Sequence, residues 1–297
     1  MLDIPIDWER TKESIFNKKG LVVVLGVPNV GKSSFIYYLS KEALKCNIKV
    51  AIINSDLGQS ELGIPTTVSL SIPEREFYNF DELPINDWYF VGAISPVGHL
   101  LPLIVGVKKL VERAKLFNCE LILVNTCGLI LGKLGNVLKY YKLSLLEPDH
   151  IVLIRKDREL ESFIKILHRL TKNFYVISQS RMARERSWEE RKSFRQKKFR
   201  NYFAHAEFLE LPTFLLHSIG KFIDRTKKQI YENRLVALLD EKENLLGLGI
   251  IKDINFEQNS IIVFTPFKVR EKIRRIELGD LYLSLEGEEL RRSAPHL

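Results

Sequence analysis

Sulfur is scarce in this chain: three cysteines and two methionines among 297 residues. Cys46, Cys119 and Cys127 form no Cys-x-x-Cys pair and are odd in number, which argues against a disulfide framework and against a cysteine-ligated zinc site. No apolar run approaches the 18 or more residues of a membrane-spanning helix. The opening stretch MLDIPIDWER lacks the basic start, apolar middle and small-residue cleavage site of a secretory leader. The expectation is a cytoplasmic protein with no membrane partner. Internal repeats and low-complexity tracts are absent as well.

What is present is an ordinary globular composition, 45% hydrophobic and 28% charged, with a net charge of +8. The excess is concentrated. Residues 181–200, RMARERSWEERKSFRQKKFR, hold six Arg and three Lys against three Glu. Such a stretch is the footprint of a phosphate-rich partner or a solvated helix face, and charge alone favours the solvated face.

Short, wholly apolar runs at 21–25, 50–54, 88–93, 121–125, 151–154 and 174–177 read as buried strands of a mostly parallel sheet. Between them the pattern predicts helices over 32–45, 101–117, 158–171 and 184–204. This alternation is the α/β doubly wound class. After about residue 228 short strands are separated by turn-like DEKEN and FEQNS. The expected organisation is a domain over 1–228, with an Arg-rich lid at about 181–204, and a small β-rich C-terminal domain over 229–297.

GVPNVGKSS at 26–34 matches the phosphate-loop pattern, Gly, four residues, then Gly-Lys-Ser, and stands between an apolar strand and an amphipathic helix. Glycines let backbone N–H groups and the helix N-terminus face an anion. The nucleotide-binding candidates are Gly26, Asn29, Val30, Gly31, Lys32, Ser33 and Ser34. Lys32 supplies a point charge to the β/γ-phosphate oxygens, and Ser33 a hydroxyl for Mg²⁺. The fold expectation is therefore a P-loop NTPase with ATP or another NTP as its ligand. A loop of this kind names a nucleotide and not a reaction. There is no Asn-Lys-x-Asp base reader, Asn125 stands where a switch aspartate would be, and no Leu-Ser-Gly-Gly-Gln occurs. Guanine-specific switches and ABC-type ATPases are disfavoured.

The second strand runs into NSDLGQSELGIPTTVSL. Asp56 follows its carboxyl end, the edge at which open α/β sheets bind ligands, and can hold Mg²⁺ with Ser33 or accept a proton. Gln59 can orient a nucleophile. His99, in SPVGH, is a substrate-loop candidate by position only.

GVPNVGKSS, NSDLGQSELGIPTTVSL, SPVGH, NTCGLILGKLGNVLKYYKLSLLEPDHIVLI and the Arg-rich stretch ending FRNYF together resemble the polynucleotide 5′-hydroxyl kinase family. Its members include RNA 5′-kinases of eukaryotic 3′-end and tRNA processing, a nucleolar pre-ribosomal RNA kinase and compact microbial relatives. The resemblance covers roughly residues 20 to 285. It implies transfer of the γ-phosphate of an NTP to the 5′-hydroxyl end of RNA or DNA, with Mg²⁺. By position it makes Lys32, Asp56, Gln59, Arg186 and Arg191 the catalytic set, the two arginines forming a lid over the γ-phosphate. It also points to Thr126, Gly128, Arg195 and Arg200 as contacts to the nucleic acid. Two departures stand out: Asn54 occupies the first acidic position of the family block, and Leu129 replaces a Trp that clasps the end nucleotide. An alternative of another class is a nucleotide-bound scaffold of an RNA-processing complex without turnover.

Overall fold

The computed structural model describes residues 4–170, 173–180, 183–218 and 222–290. The first element, absent from the sequence expectation, is helix α1 (Ile6–Lys18), which follows Pro5 and carries Asp7 and Glu9 in its first turn. Carboxylates there complement the helix dipole. Its buried stripe is Trp8, Thr11 and Ile15, one face of a helix. Trp8 is completely buried. Its ring meets Phe35 edge-on at 5.0 Å, and its indole N–H donates to Ser178 O at 2.8 Å.

The α/β alternation then runs as expected. Strands β1 (Gly20–Leu25) and β2 (Val50–Ser55) flank helix α2 (Lys32–Lys45). Strands β3 (Thr67–Ser71) and β4 (Asp87–Phe90) precede helix α3 (Leu100–Leu116) and strand β5 (Leu121–Thr126). Helix α4 (Gly132–Leu146), strand β6 (His150–Arg155), helix α5 (Glu161–Leu170) and strand β7 (Phe174–Ser178) complete the first sheet. Its order is β4-β3-β2-β5-β1-β6-β7. β1 is parallel to β5 and β6, β2 to β5, and β6 to β7, whereas β3 is antiparallel to β2. β1, β2 and β5 are buried along almost their whole length, as strands covered on both faces must be. The apolar run at 88–93 is not such a strand. β4 lies at the sheet edge with only Phe90 buried, and Asp87 there is paired with Arg113 at 2.8 Å.

The remaining elements are helix α6 (Trp188–Phe203) and strands β8 (Glu207–Leu211), β9 (Leu216–His217), β10 (Arg234–Leu239), β11 (Leu245–Asn255), β12 (Ser260–Thr265) and β13 (Arg275–Tyr282). The strands form a second sheet in the order β8-β12-β11-β10-β13-β9.

Two compact units result. One comprises Met1–Gly63, Val68–Trp88 and Ser95–Ser187; the other Ile64–Thr67, Tyr89–Ile94 and Trp188–Leu297. The expected boundary at 228/229 therefore falls inside the second unit. β8 belongs there because it pairs with β12, Phe208 opposite Phe264, and β9 because it pairs with β13. α6 joins them through Phe203, stacked on Phe264 at 6.0 Å, and through the Tyr202 hydroxyl, which accepts the Leu248 N–H at 2.7 Å. Each unit has its own apolar core. Among the described residues no helix is long and apolar enough to cross a membrane.

Candidate active site

The site lies in the first unit, at the carboxyl ends of β1, β2 and β5. Asn125 pairs in register with Val24 on one side and Asn54 on the other, so the three strands end together. The phosphate loop leaves β1 at Gly26. Asn29 and Gly31 have left-handed backbones, φ 63° and 90°, conformations Asn and Gly tolerate best. Gly31 caps α2. Val30 is buried in the core and anchors the loop. Ser33 and Ser34 lie half-buried on the first turn of α2, whose N-terminus offers backbone N–H groups to an anion.

Lys32 is buried, and its Nζ donates to Val27 O at 2.8 Å across its own loop. Burial pulls its pKa down to about 8, with the Asp56 charge acting the other way. Asp56 is half-buried, and its Oδ1 accepts the N–H groups of Gly58 and Gln59 at 3.2 and 3.0 Å. This turn fixes the carboxylate just beyond β2.

Beneath it lies a buried amide network. Asn125 Nδ2 donates to Ser33 Oγ at 3.2 Å and Asn54 Oδ1 at 3.0 Å. Asn54 Nδ2 donates to Ser60 Oγ at 2.9 Å and Leu62 O at 3.3 Å. An amide both donates and accepts, which an ionised carboxylate cannot do. That accounts for asparagine at position 54.

Arg186 reaches the same loop. Its guanidinium donates to Gln59 Oε1 at 3.3 Å and forms an ion pair with Glu61 at 3.0 Å. The structure thus brings together Lys32, Ser33, Asp56, Gln59 and Arg186.

The other expected residues are placed differently. Arg191 lies on α6 in the second unit, with Nε buried and lacking a hydrogen-bond partner. Arg195, expected at the substrate, is instead buried in a forked ion pair with Glu289, Nη2 to Oε2 at 3.1 Å. Its guanidinium is committed to packing α6 against 284–290. Arg200 is exposed on α6. The Thr126 hydroxyl is buried and donates to Val24 O at 2.8 Å, stitching β5 to β1. His99 caps α3, with Nδ1 3.2 Å from Val97 O. Gly128 presses on the phosphate loop so closely that a Cβ there would stand 2.5 Å from Pro28 Cγ and 2.6 Å from its backbone nitrogen. The expected lid begins at 181 and 182, outside the described residues, and its helix starts at Trp188.

Sequence reading missed Glu61 and the Asn54–Asn125 network. It also missed two fully buried lysines of α4, Lys139 and Lys142; their one signal was a Lys-x-x-Lys inside an otherwise apolar helix face.

Among the described residues no group of three or more His, Cys, Asp or Glu could hold a metal. The donors present suit a different ion. The Ser33 hydroxyl and the Asp56 carboxylate are hard oxygen ligands, and Asn125 Oδ1, beside them, is buried with no hydrogen-bond partner. Mg²⁺ is bound through one or two such groups plus substrate phosphates and waters.

Residues 26–205 match the family described as mRNA cleavage and polyadenylation factor CLP1 P-loop. The chain belongs to this family. It is 30% identical to the polyribonucleotide 5′-hydroxyl-kinase of Methanocaldococcus jannaschii, over 91% of this chain and 88% of that protein. It is 29% identical to the enzyme of the same name from Pyrococcus furiosus, over 97% and 95%. Among solved structures, Clp1p from a Pcf11p–Clp1p complex shares the fold with a TM-score of 0.71, covering 93% of this chain and 77% of that one at 15% identity.

Proposed function

We infer that this protein is a polynucleotide 5′-hydroxyl kinase that transfers the γ-phosphate of ATP, or another NTP, to the 5′-hydroxyl end of RNA. RNA is favoured because the full-length relatives are named as polyribonucleotide kinases. The observation that supports the reading most is the convergence of Lys32, Ser33, Asp56, Gln59 and Arg186 at three strand ends in a chain of this family.

In this reading the phosphate loop holds the β- and γ-phosphates through its backbone N–H groups and Lys32. Ser33 and Asp56 would hold Mg²⁺, which when bound would neutralise charge on the phosphoryl oxygens. Asp56 accepts the proton of the 5′-hydroxyl or orders the ion's water shell, and Gln59 aligns the attacking oxygen. Arg186 meets the charge that spreads over the γ-phosphoryl in flight, the arginine-finger role. The exposed Arg200 and its cationic neighbours on α6 neutralise backbone phosphates. Catalysis is positioning and electrostatics throughout.

The test is transfer of labelled γ-phosphate to a short 5′-hydroxyl RNA and to the matching DNA, by the wild type and by Lys32→Ala and Asp56→Asn. Product that vanishes in both variants supports the reading. ATP binding with no labelled product on either polymer overturns it in favour of a scaffold.

A further inference from the structure

Two charged side chains in the first unit take no part in the mechanism above. Lys139 and Lys142 stand three residues apart on α4, hence on one face of it, and both are completely buried. Lys139 Nζ donates to Cys127 O at 2.7 Å and lies 3.7 Å from Cys127 Sγ. Lys142 Nζ donates to Ser55 Oγ at 3.1 Å, and that hydroxyl donates to Asn125 O at 2.7 Å. Cys127 and Ser55 are not random anchors. Cys127 is the first residue beyond β5 and precedes Gly128, the residue packed on Pro28; Ser55 ends β2 and precedes Asp56.

Packing does not explain lysine at either position. An ammonium without a carboxylate partner is costly to bury, and a methionine or leucine would fill the same space without that cost. Among the described residues neither lysine forms an ion pair. Burial works against the charge on both, and the carboxylate whose field favours it is Asp56. Cys127 also acts on both, Lys139 acts on Lys142, and Lys139 in turn acts on Lys32. Both lysines are thus coupled to Asp56, and Lys139 also to Lys32, although neither reaches the surface of the phosphate site.

We propose that Lys139 and Lys142 are positioning residues for phosphate transfer: two prongs of α4 that fix the carboxyl ends of β5 and β2 behind the bed of the donor triphosphate. The role rests on the kinase reading. Lys139 acts through Cys127 and Gly128 on the phosphate loop; Lys142 acts through Ser55 on the turn that carries Asp56. A polyanion in the site is the partner their burial otherwise lacks.

The experiment compares the wild type with Lys139→Met and Lys142→Met in three measurements: melting temperature, ATP affinity by equilibrium titration, and kcat and KM for ATP and for a 5′-hydroxyl RNA. The expected result is an unchanged or higher melting temperature, an ATP affinity weakened about tenfold and a kcat lowered at least tenfold, with the KM for RNA unchanged. A merely structural role gives the opposite split, a lower melting temperature with kcat per folded molecule retained, and that overturns the proposal. So does wild-type ATP affinity and kcat in both variants. Ser55→Ala removes the side-chain partner of Lys142 at almost constant core volume. It weakens ATP binding several-fold if the proposal holds, and leaves it unchanged if the lysine is inert, which decides the matter should a methionine variant not fold. A wild type that binds ATP but phosphorylates no RNA breaks the kinase reading, and the ATP titration then judges the lysines by itself.

Discussion

Asn125 Nδ2 lies 3.2 Å from Ser33 Oγ, so the hydroxyl of the phosphate loop is held from β5 and not from its own helix. The same amide bonds Asn54 Oδ1, which ties the ends of β1, β2 and β5 into one polar knot. Removing it takes a donor away from the half-buried Ser33 hydroxyl and from the buried Asn54 Oδ1, which keeps only the Asp56 N–H at 3.5 Å. Asn125→Leu is expected to lower stability by about 1 to 3 kcal/mol, read from urea unfolding, and to weaken ATP binding in the variant that remains folded. Full ATP affinity in that variant would show that Ser33 needs no such support.

Gly128 offers a sharper probe of the loop. An alanine Cβ would collide with Pro28, ring and backbone alike, so Gly128→Ala must push the phosphate loop aside. Overpacking of this kind costs about 1 to 3 kcal/mol. The expected kinetic signature is a KM for ATP raised about tenfold, equivalent to about 1.4 kcal/mol, with the KM for RNA unaffected. Steady-state kinetics on both substrates separate this from a general loss of activity.

Much of the first sheet and the phosphate site was legible because they are written locally. Continuous apolar runs mark strands covered on both faces, and the glycines of GVPNVGKSS stand where the chain must take left-handed turns. Asp56 was found because it directly follows a buried strand. What escaped was non-local. Trp8 is one of two aromatic residues in a short polar helix, and its contacts with Phe35 and Ser178 show that it is core. Arg195 reads like its neighbours in a cationic run, yet Glu289, far along the chain, claims it. The start of the second unit was misjudged for the same reason, since β8 is recognisable as part of its sheet only through pairing with β12. Lys139 and Lys142 look like ordinary surface lysines until the fold closes over them.

Lys142 makes a prediction about pH. Burial lowers its pKa from 10.5 to about 7. Between these values the unfolded chain holds more protons than the folded one, so raising the pH across this window stabilises the fold, by at most about 1.4 kcal/mol per unit. Below about pH 7 the penalty is present in full. Lys142→Met removes it at every pH. The stability advantage of Lys142→Met over the wild type is therefore expected to shrink steadily from pH 7 towards pH 10, as followed by urea unfolding at a series of pH values. A gap independent of pH would mean that Lys142 stays protonated in the folded state throughout.

Arg195→Ala tests the assignment of that residue to packing. It strands Glu289 in a largely buried position, and breaking a buried pair from one side costs about 3 to 5 kcal/mol. Calorimetry is expected to show a clear drop in melting temperature, recovered in part by the double variant Arg195→Met with Glu289→Leu. Arg200→Ala, at an exposed position, is expected to leave melting unchanged and to weaken RNA binding most at low salt. Equal melting temperatures for the two single variants would return Arg195 to the substrate.

Trp8 carries one more consequence. The match to the family begins at Gly26, but the floor under that stretch is laid eighteen residues earlier, at Trp8. The Trp8 ring lies beneath Gly31, 4.0 Å from where a side chain would begin, and its indole is fastened to the end of β7. A chain shortened to start at the motif would keep every letter of GVPNVGKSS and lose the surface it rests on. The nucleotide site is in this sense longer than its signature, and a search by signature alone would cut it off at the root.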